Sequence, residues 1–163
     1  MNNIDSIVES TGSQNLFRTV EAETNGIVVY AVDGYEGKEP ETITASDFNK
    51  DNYNKNNLKA ESIIVADNPA YKMVTSENWY LMIKLSQDDI SKYGLQGKKS
   101  IDIKVKKDNM TFTCGFSIIE KSDGYYGKLS VDSYMIRYAS ERFLDIELVT
   151  TGKSGMKIPV SAV

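Results

Sequence analysis

The sequence predicts a mostly β protein, a small barrel or sandwich of short strands with one short helix set into it. Three observations predict it. Apolar and polar residues alternate through several short runs rich in β-branched and aromatic side chains. Turn signals built on Gly, Asn, Asp and Ser separate those runs at short intervals. Only one stretch carries a full set of helix start and stop signals.

Taken in order, Ile4, Ile7 and Val8 stand at helical spacing, but residues 4–10 are too few to hold a helix alone. They read as the tail of a helix or an arm. Residues 26–32 (Gly-Ile-Val-Val-Tyr-Ala-Val) read as one strand bounded by the turn signals Asn25-Gly26 and Asp33-Gly34. Residues 39–60 then become polar, with Ile43, Phe48, Tyr53 and Leu58 as their few apolar anchors. This stretch reads as a long loop with one short helix near Ser46, and a module boundary falls there.

Beyond it the pattern is almost continuously β. Residues 71–74 and 79–85 read as strands joined by the turn Thr75-Ser76-Glu77-Asn78, with Trp79, Leu81, Ile83 and Leu85 on a core face. Ser86 as cap, Asp88 and Asp89 in the first turn, and Lys92 before Gly94 predict a helix over 87–93. Ile101, Ile103 and Val105 alternate with charged residues. Phe112, Cys114, Phe116 and Ile118 form the next core face, where Gly115 suggests a bulge. Ser122-Asp123-Gly124 turns into a strand over 125–131, and 143–149 is another, with Leu144, Ile146 and Leu148 on one face. Residues 151–155 read as a hairpin-like turn into 156–160, where Pro159 restricts the strand to an edge or ends it. The apolar strand that runs to Val163 suggests a fragment of a longer protein.

Composition narrows the function. Apolar residues make up 40% and charged residues 26% of the 163 positions, as in a soluble globular protein. A net charge of -4 argues against nucleic acid, although Lys98, Lys99, Lys104, Lys106 and Lys107 make a locally basic stretch. That stretch fits the wet face of a strand. The chain has no histidine, which removes the commonest general base and metal ligand. Its one cysteine, Cys114, can form no internal disulfide and reads as a buried small hydrophobe. No apolar run reaches the roughly 20 residues that cross a bilayer, and the N-terminus is not a signal peptide.

Several near-motifs break at a decisive residue. Gly152-Lys153-Ser154 resembles the end of a phosphate loop, but Glu147 stands where its first glycine belongs. The stretch starting at Asp47 begins like a calcium loop, yet Asn52 replaces the turn glycine and Leu58 the bidentate glutamate. Asp88 and Asp89 are explained as first-turn helix charges. Asp132, Asp145 and Glu147 make no visible acid–base pair, and the sequon Asn109-Met110-Thr111 is too common a pattern to carry weight. The expectation is therefore no catalytic residue, no cofactor and no metal. The candidate interaction surface is aromatic: Trp79, Tyr80, Tyr125 and Tyr126. Such rings pack in a core more often than they form a sugar-binding platform.

The serial order of segments adds a resemblance. Residues 25–36 (Asn-Gly-Ile-Val-Val-Tyr-Ala-Val-Asp-Gly-Tyr-Glu) are similar to the second half of a lipoyl-like module in membrane fusion proteins, the haemolysin-D-like periplasmic adaptors of secretion and efflux systems. Residues 69–74 with 78–81, then Gly94-Leu95-Gln96-Gly97 followed by Ile101-Asp102-Ile103, resemble that family's adaptor β-barrel. Residues 138–148 and 156–163 resemble the lead into its membrane-proximal module.

The resemblance implies residues 1–38 as a helix remnant with a partial lipoyl-like β-module and 39–60 as the polar loop. It implies 61–155 as the barrel and 156–163 as the start of a truncated membrane-proximal strand. It further implies a non-enzymatic module on the extracytoplasmic face of a bacterial membrane, anchored through a missing N-terminal helix. Its partners would be a membrane transporter and, in the full-length protein, copies of itself. The alternative is a soluble glycan- or ligand-binding β-module of the cell envelope.

Overall fold

The computed structural model describes residues 21–60 and 65–149. These residues are mostly β, with a few short helices and one curled five-stranded sheet shaped as a half-barrel. The readings made for residues 4–10, 151–155 and 156–163 lie outside the described residues.

Four short strands come first: β1 (Ile27–Val29), β2 (Ala31–Val32), β3 (Asn56–Asn57) and β4 (Lys72–Val74). β1 pairs antiparallel with β4, and β2 antiparallel with β3. The stretch expected as one strand is thus two, broken at Tyr30, whose carbonyl accepts the Leu58 N–H at 3.1 Å. Gly26 permits the β1–β4 approach, because a Cβ there would lie 2.6 Å from the Val74 carbonyl oxygen.

The half-barrel contains β5 (Trp79–Leu85), β6 (Ser100–Val105), β7 (Met110–Lys121), β8 (Gly124–Val131) and β9 (Ile146–Val149). Their spatial order is β5-β8-β7-β6-β9, and every neighbouring pair is antiparallel. The strands on either side of residues 75–78 therefore do not form a hairpin. β4 joins β1, β5 joins β8, and the turn carries the chain from one sheet to another. The last strand begins at Ile146 rather than at 143, because Arg142 and Phe143 are engaged elsewhere.

Alternation places the core as expected. Ile101, Ile103, Val105, Cys114, Phe116, Leu129 and Val131 point inward and are buried, each large aliphatic side chain contributing about 1.5–3 kcal/mol. Gly115 marks no bulge. It faces Ser100 on one side and Ser130 on the other in unbroken register, and a Cβ on it would touch the Ser130 Cβ at 3.4 Å. The glycine thus sits in regular pairing with both neighbouring strands, with no extra residue beside it.

The expected helix forms as α1 (Gln87–Lys92). Ser86 Oγ accepts the Asp89 N–H at 3.0 Å, and Asp89 Oδ2 accepts the Ser86 N–H at 2.9 Å, which closes a capping box. Gly94 ends the helix with φ at 56°, and Ile90 and Leu95 enter the core. A shorter helix, α2 (Met135–Tyr138), follows β8 and adds Tyr138 to the same core.

Residues 39–60 form no open loop. Three single 3-10 turns (Pro40–Thr42, Ala45–Phe48 and Lys50–Asn52) lead into β3, and a fourth (Leu58–Ala60) follows it. The helix expected near Ser46 is the second of these, held by a capping box between Thr44 and Asp47. The segment is a strap, and it lies against the half-barrel.

Candidate functional site

The register of β5 on β8 decides where the four candidate aromatics go. Trp79 and Tyr125 belong to the face that turns toward the core, and Tyr80 and Tyr126 to the opposite face. Trp79 is buried, its indole N–H donating to the Ser133 carbonyl at 2.8 Å and its ring lying 5.5 Å from that of Tyr138. Tyr125 is half-buried against the core. Tyr126 is fully buried although it sits on the outer face, because the strap lays Phe48 over it at 5.7 Å between ring centroids. Only Tyr80 stands well exposed, with Lys128 Nζ 4.6 Å above its ring. The expectation of one surface made by these four residues is corrected: they occupy two faces, and two of them are buried.

What the structure brings together is polar. Lys121 Nζ donates to the carbonyls of Glu41, at 2.7 Å, and Ile43. Lys128 Nζ pairs with Glu41 Oε1 at 2.7 Å. Asp123 Oδ2 accepts from the Tyr126 hydroxyl at 2.7 Å and from the Ala45 N–H at 3.2 Å. These contacts hold the strap to β7, β8 and the turn between them.

Asp47 fixes the strap from within. It receives Lys38 Nζ at 2.5 Å, the Thr44 N–H at 2.7 Å and the Tyr35 hydroxyl at 3.1 Å. Burial alone would raise its pKa, but these donors outweigh burial and bring the carboxyl down to about 2. An oxygen that begins a calcium-like sequence is thus committed to a lysine, a hydroxyl and a backbone amide.

The second centre is Asp33, just past β2. Arg142 holds its carboxylate from both sides, Nε donating to Oδ2 at 2.9 Å and a terminal nitrogen to Oδ1 at 2.8 Å. The Tyr53 hydroxyl donates to Oδ2 and the Tyr35 N–H to Oδ1, both at 3.1 Å. The Arg142 guanidinium also covers the Tyr35 ring at 4.9 Å, and the Tyr53 ring meets Phe143 edge-on at 5.2 Å. Burial raises the Asp33 carboxyl, yet Arg142 and the Tyr35 amide prevail and hold it below its ordinary value. Burial and then the Asp33 charge push Tyr53 up to about 12. One carboxylate therefore clamps the N-terminal strands, the strap and the lead into β9.

A second carboxylate–arginine clamp forms at Asp108. Asp108 accepts Arg137 Nε at 2.9 Å, an Arg137 terminal nitrogen at 2.7 Å and the Tyr138 hydroxyl, which ties α2 to the β6–β7 turn. Cys114 is buried, and burial followed by the Asp102 charge raises its thiol to about 11, leaving it uncharged at neutral pH. Asp145 faces Lys50 at 3.8 Å and Glu147 faces Lys106 at 3.6 Å. Among the described residues no three His, Cys, Asp or Glu side chains stand close enough to share a metal ion. No helix among them is long and apolar enough to cross a membrane.

No protein-family model, curated protein or solved structure matches this chain. The geometry alone therefore carries the functional reading. A cleft of about 560 Å³ runs along β5, roofed by the strap. Leu81, Ile83 and Leu144 line its inner side, and Tyr80, Lys84 and Phe48 its outer side.

Sequence reasoning missed Asp33, Arg142, Asp108 and Arg137 as a set. A signal for part of it was present: Ile43, Phe48, Tyr53 and Leu58 are the few large apolar anchors of the strap. Phe48 and Tyr53 are among those that now touch the barrel side.

Proposed function

We propose that the chain is a non-catalytic adaptor module of the extracytoplasmic membrane face, which bridges a membrane transporter in secretion or efflux by protein packing. In this reading β1–β4 belong to a partial lipoyl-like module, and the half-barrel with helix α1 set into it belongs to an adaptor-type β-barrel. The observation that carries it is the Asp33–Arg142 clamp. An adaptor transmits position, so its modules must hold a fixed relation. Here a bidentate pair with a largely buried carboxylate joins the N-terminal strands to the lead into the last barrel strand. The polar clusters found so far are committed to internal contacts, which suits assembly better than chemistry.

In-cell crosslinking of the full gene product, followed by membrane fractionation, tests the reading. The expected outcome is recovery with the membrane and an adduct with a polytopic transporter. Recovery only in the soluble fraction, without such an adduct, would overturn it.

A further inference from the structure

We infer that the cleft along β5 is an acceptor for one extended peptide segment of a partner protein, in which apolar residues alternate with acidic ones. The inference is independent of the adaptor reading. Five strands that alternate in direction leave their two outer members, β5 and β9, running the same way. Neither pairs with another strand on its outer side among the described residues. A single added strand, running opposite to both, could therefore pair antiparallel with the two edges together. The cleft lies beside the β5 edge, lined by consecutive residues of β5 on one side and, on the other, by Leu144 and Asp145 of the lead into β9 and by its first residue, Ile146.

Among the described residues no strand occupies that edge of β5, although the strap roofs the cleft beside it. β5 is seven residues long (Trp-Tyr-Leu-Met-Ile-Lys-Leu), with no proline, no break in register and Lys84 as its only charge. Proteins seldom leave such an edge bare, because its open amides and carbonyls recruit strands. Added strands draw their affinity from that backbone ladder and their selectivity from alternate side-chain positions.

The lining sets the alternation. On the inner side an incoming residue meets Leu81, Ile83 and Leu144, so it must be apolar. On the outer side it meets Lys84, which is exposed and has no carboxylate within 4.0 Å among the described residues. Lys50 stands on the same cleft, and its partner Asp145 is a loose 3.8 Å away. An acidic residue there completes the charge. Residues 150–163 of this chain fit that chemistry poorly, since they hold two lysines and no carboxylate side chain. They also hold Pro159, which a strand bonded on both sides disfavours.

The test uses the whole chain and two synthetic peptides, one alternating valine with glutamate and one alternating valine with lysine. Calorimetry is expected to show saturable binding of the glutamate peptide only, and Lys84→Glu to weaken it about fivefold or more. Hydrogen exchange is expected to show the β5 amides that point away from β8 open in the free chain and protected with the glutamate peptide. No binding up to millimolar peptide by a folded chain would overturn the proposal. So would equal binding of both peptides, or no effect of Lys84→Glu. Outward β5 amides already protected in the free chain would show that residues 150–163 or another part of the chain occupy the edge, and would also overturn it.

Discussion

Asp47 is a single carboxylate doing the work of a fastener, and its chemistry makes it testable. Its carboxyl lies at about 2 in the folded chain against an ordinary 3.8, so the folded state binds the proton less well than the unfolded one. The stabilisation it provides is complete above the ordinary value and disappears as pH falls through the folded one. Between pH about 4 and about 2, thermal stability should therefore drop more steeply in the native chain than in Asp47→Asn. Melting curves across that window check this, and parallel slopes for the two proteins would refute it. Cys114 is the opposite case at this scale. Its position between Phe112 and Phe116 already showed a packed thiol in the sequence, and the structure adds only the Ile101 carbonyl at 3.4 Å as its partner.

At the scale of the element, what was legible followed period and capping. The strand from Trp79 to Leu85 and the helix after Ser86 coincide with their sequence signals, because side-chain alternation and a capping box are local properties. Pairing partners were not legible. Nothing local to residues 71–74 says that they face 27–29 rather than the adjacent strand. Gly115 shows the same limit, since a glycine within a strand signals a bulge in sequence, yet here it pairs in unbroken register. Gly127 is the example of real crowding. A Cβ there would lie 2.8 Å from Ile83 Cγ1 and 3.0 Å from Phe116 Cε2, on the core face where β5, β8 and β7 meet. Gly127→Ala should cost about 1–3 kcal/mol by overpacking, whereas Ala at the open Gly37 should cost far less. Urea denaturation of the two variants separates these outcomes.

At the scale of the molecule, the strap and the clamps decide the arrangement, and these were the least visible parts in the sequence. Polar composition over 39–60 suggested a loop because Asn, Asp and Lys usually face water. Here charged groups of that stretch are paired with residues far away in sequence, as Glu41 with Lys128 and Lys55 with the Ser140 carbonyl. Arg142→Gln leaves the Asp33 carboxylate largely buried without its cation, at a cost of about 2 kcal/mol. Because Tyr53 and Tyr35 share that carboxylate, the strap should loosen with it. Limited proteolysis should then cut within residues 39–60 several-fold faster in Arg142→Gln than in the native chain, with the half-barrel fragment persisting. An unchanged cleavage rate would show that the strap holds without the clamp.

The strand order has a further consequence, in time rather than in space. β6, β7 and β8 follow one another as a meander with short turns, so they can fold as soon as they are made. β5 is synthesised before them, yet the only strand it pairs with among the described residues is β8, the last of the three. During translation its apolar length therefore leaves the ribosome with no partner yet in existence. That interval is when a chaperone would have the most to hold.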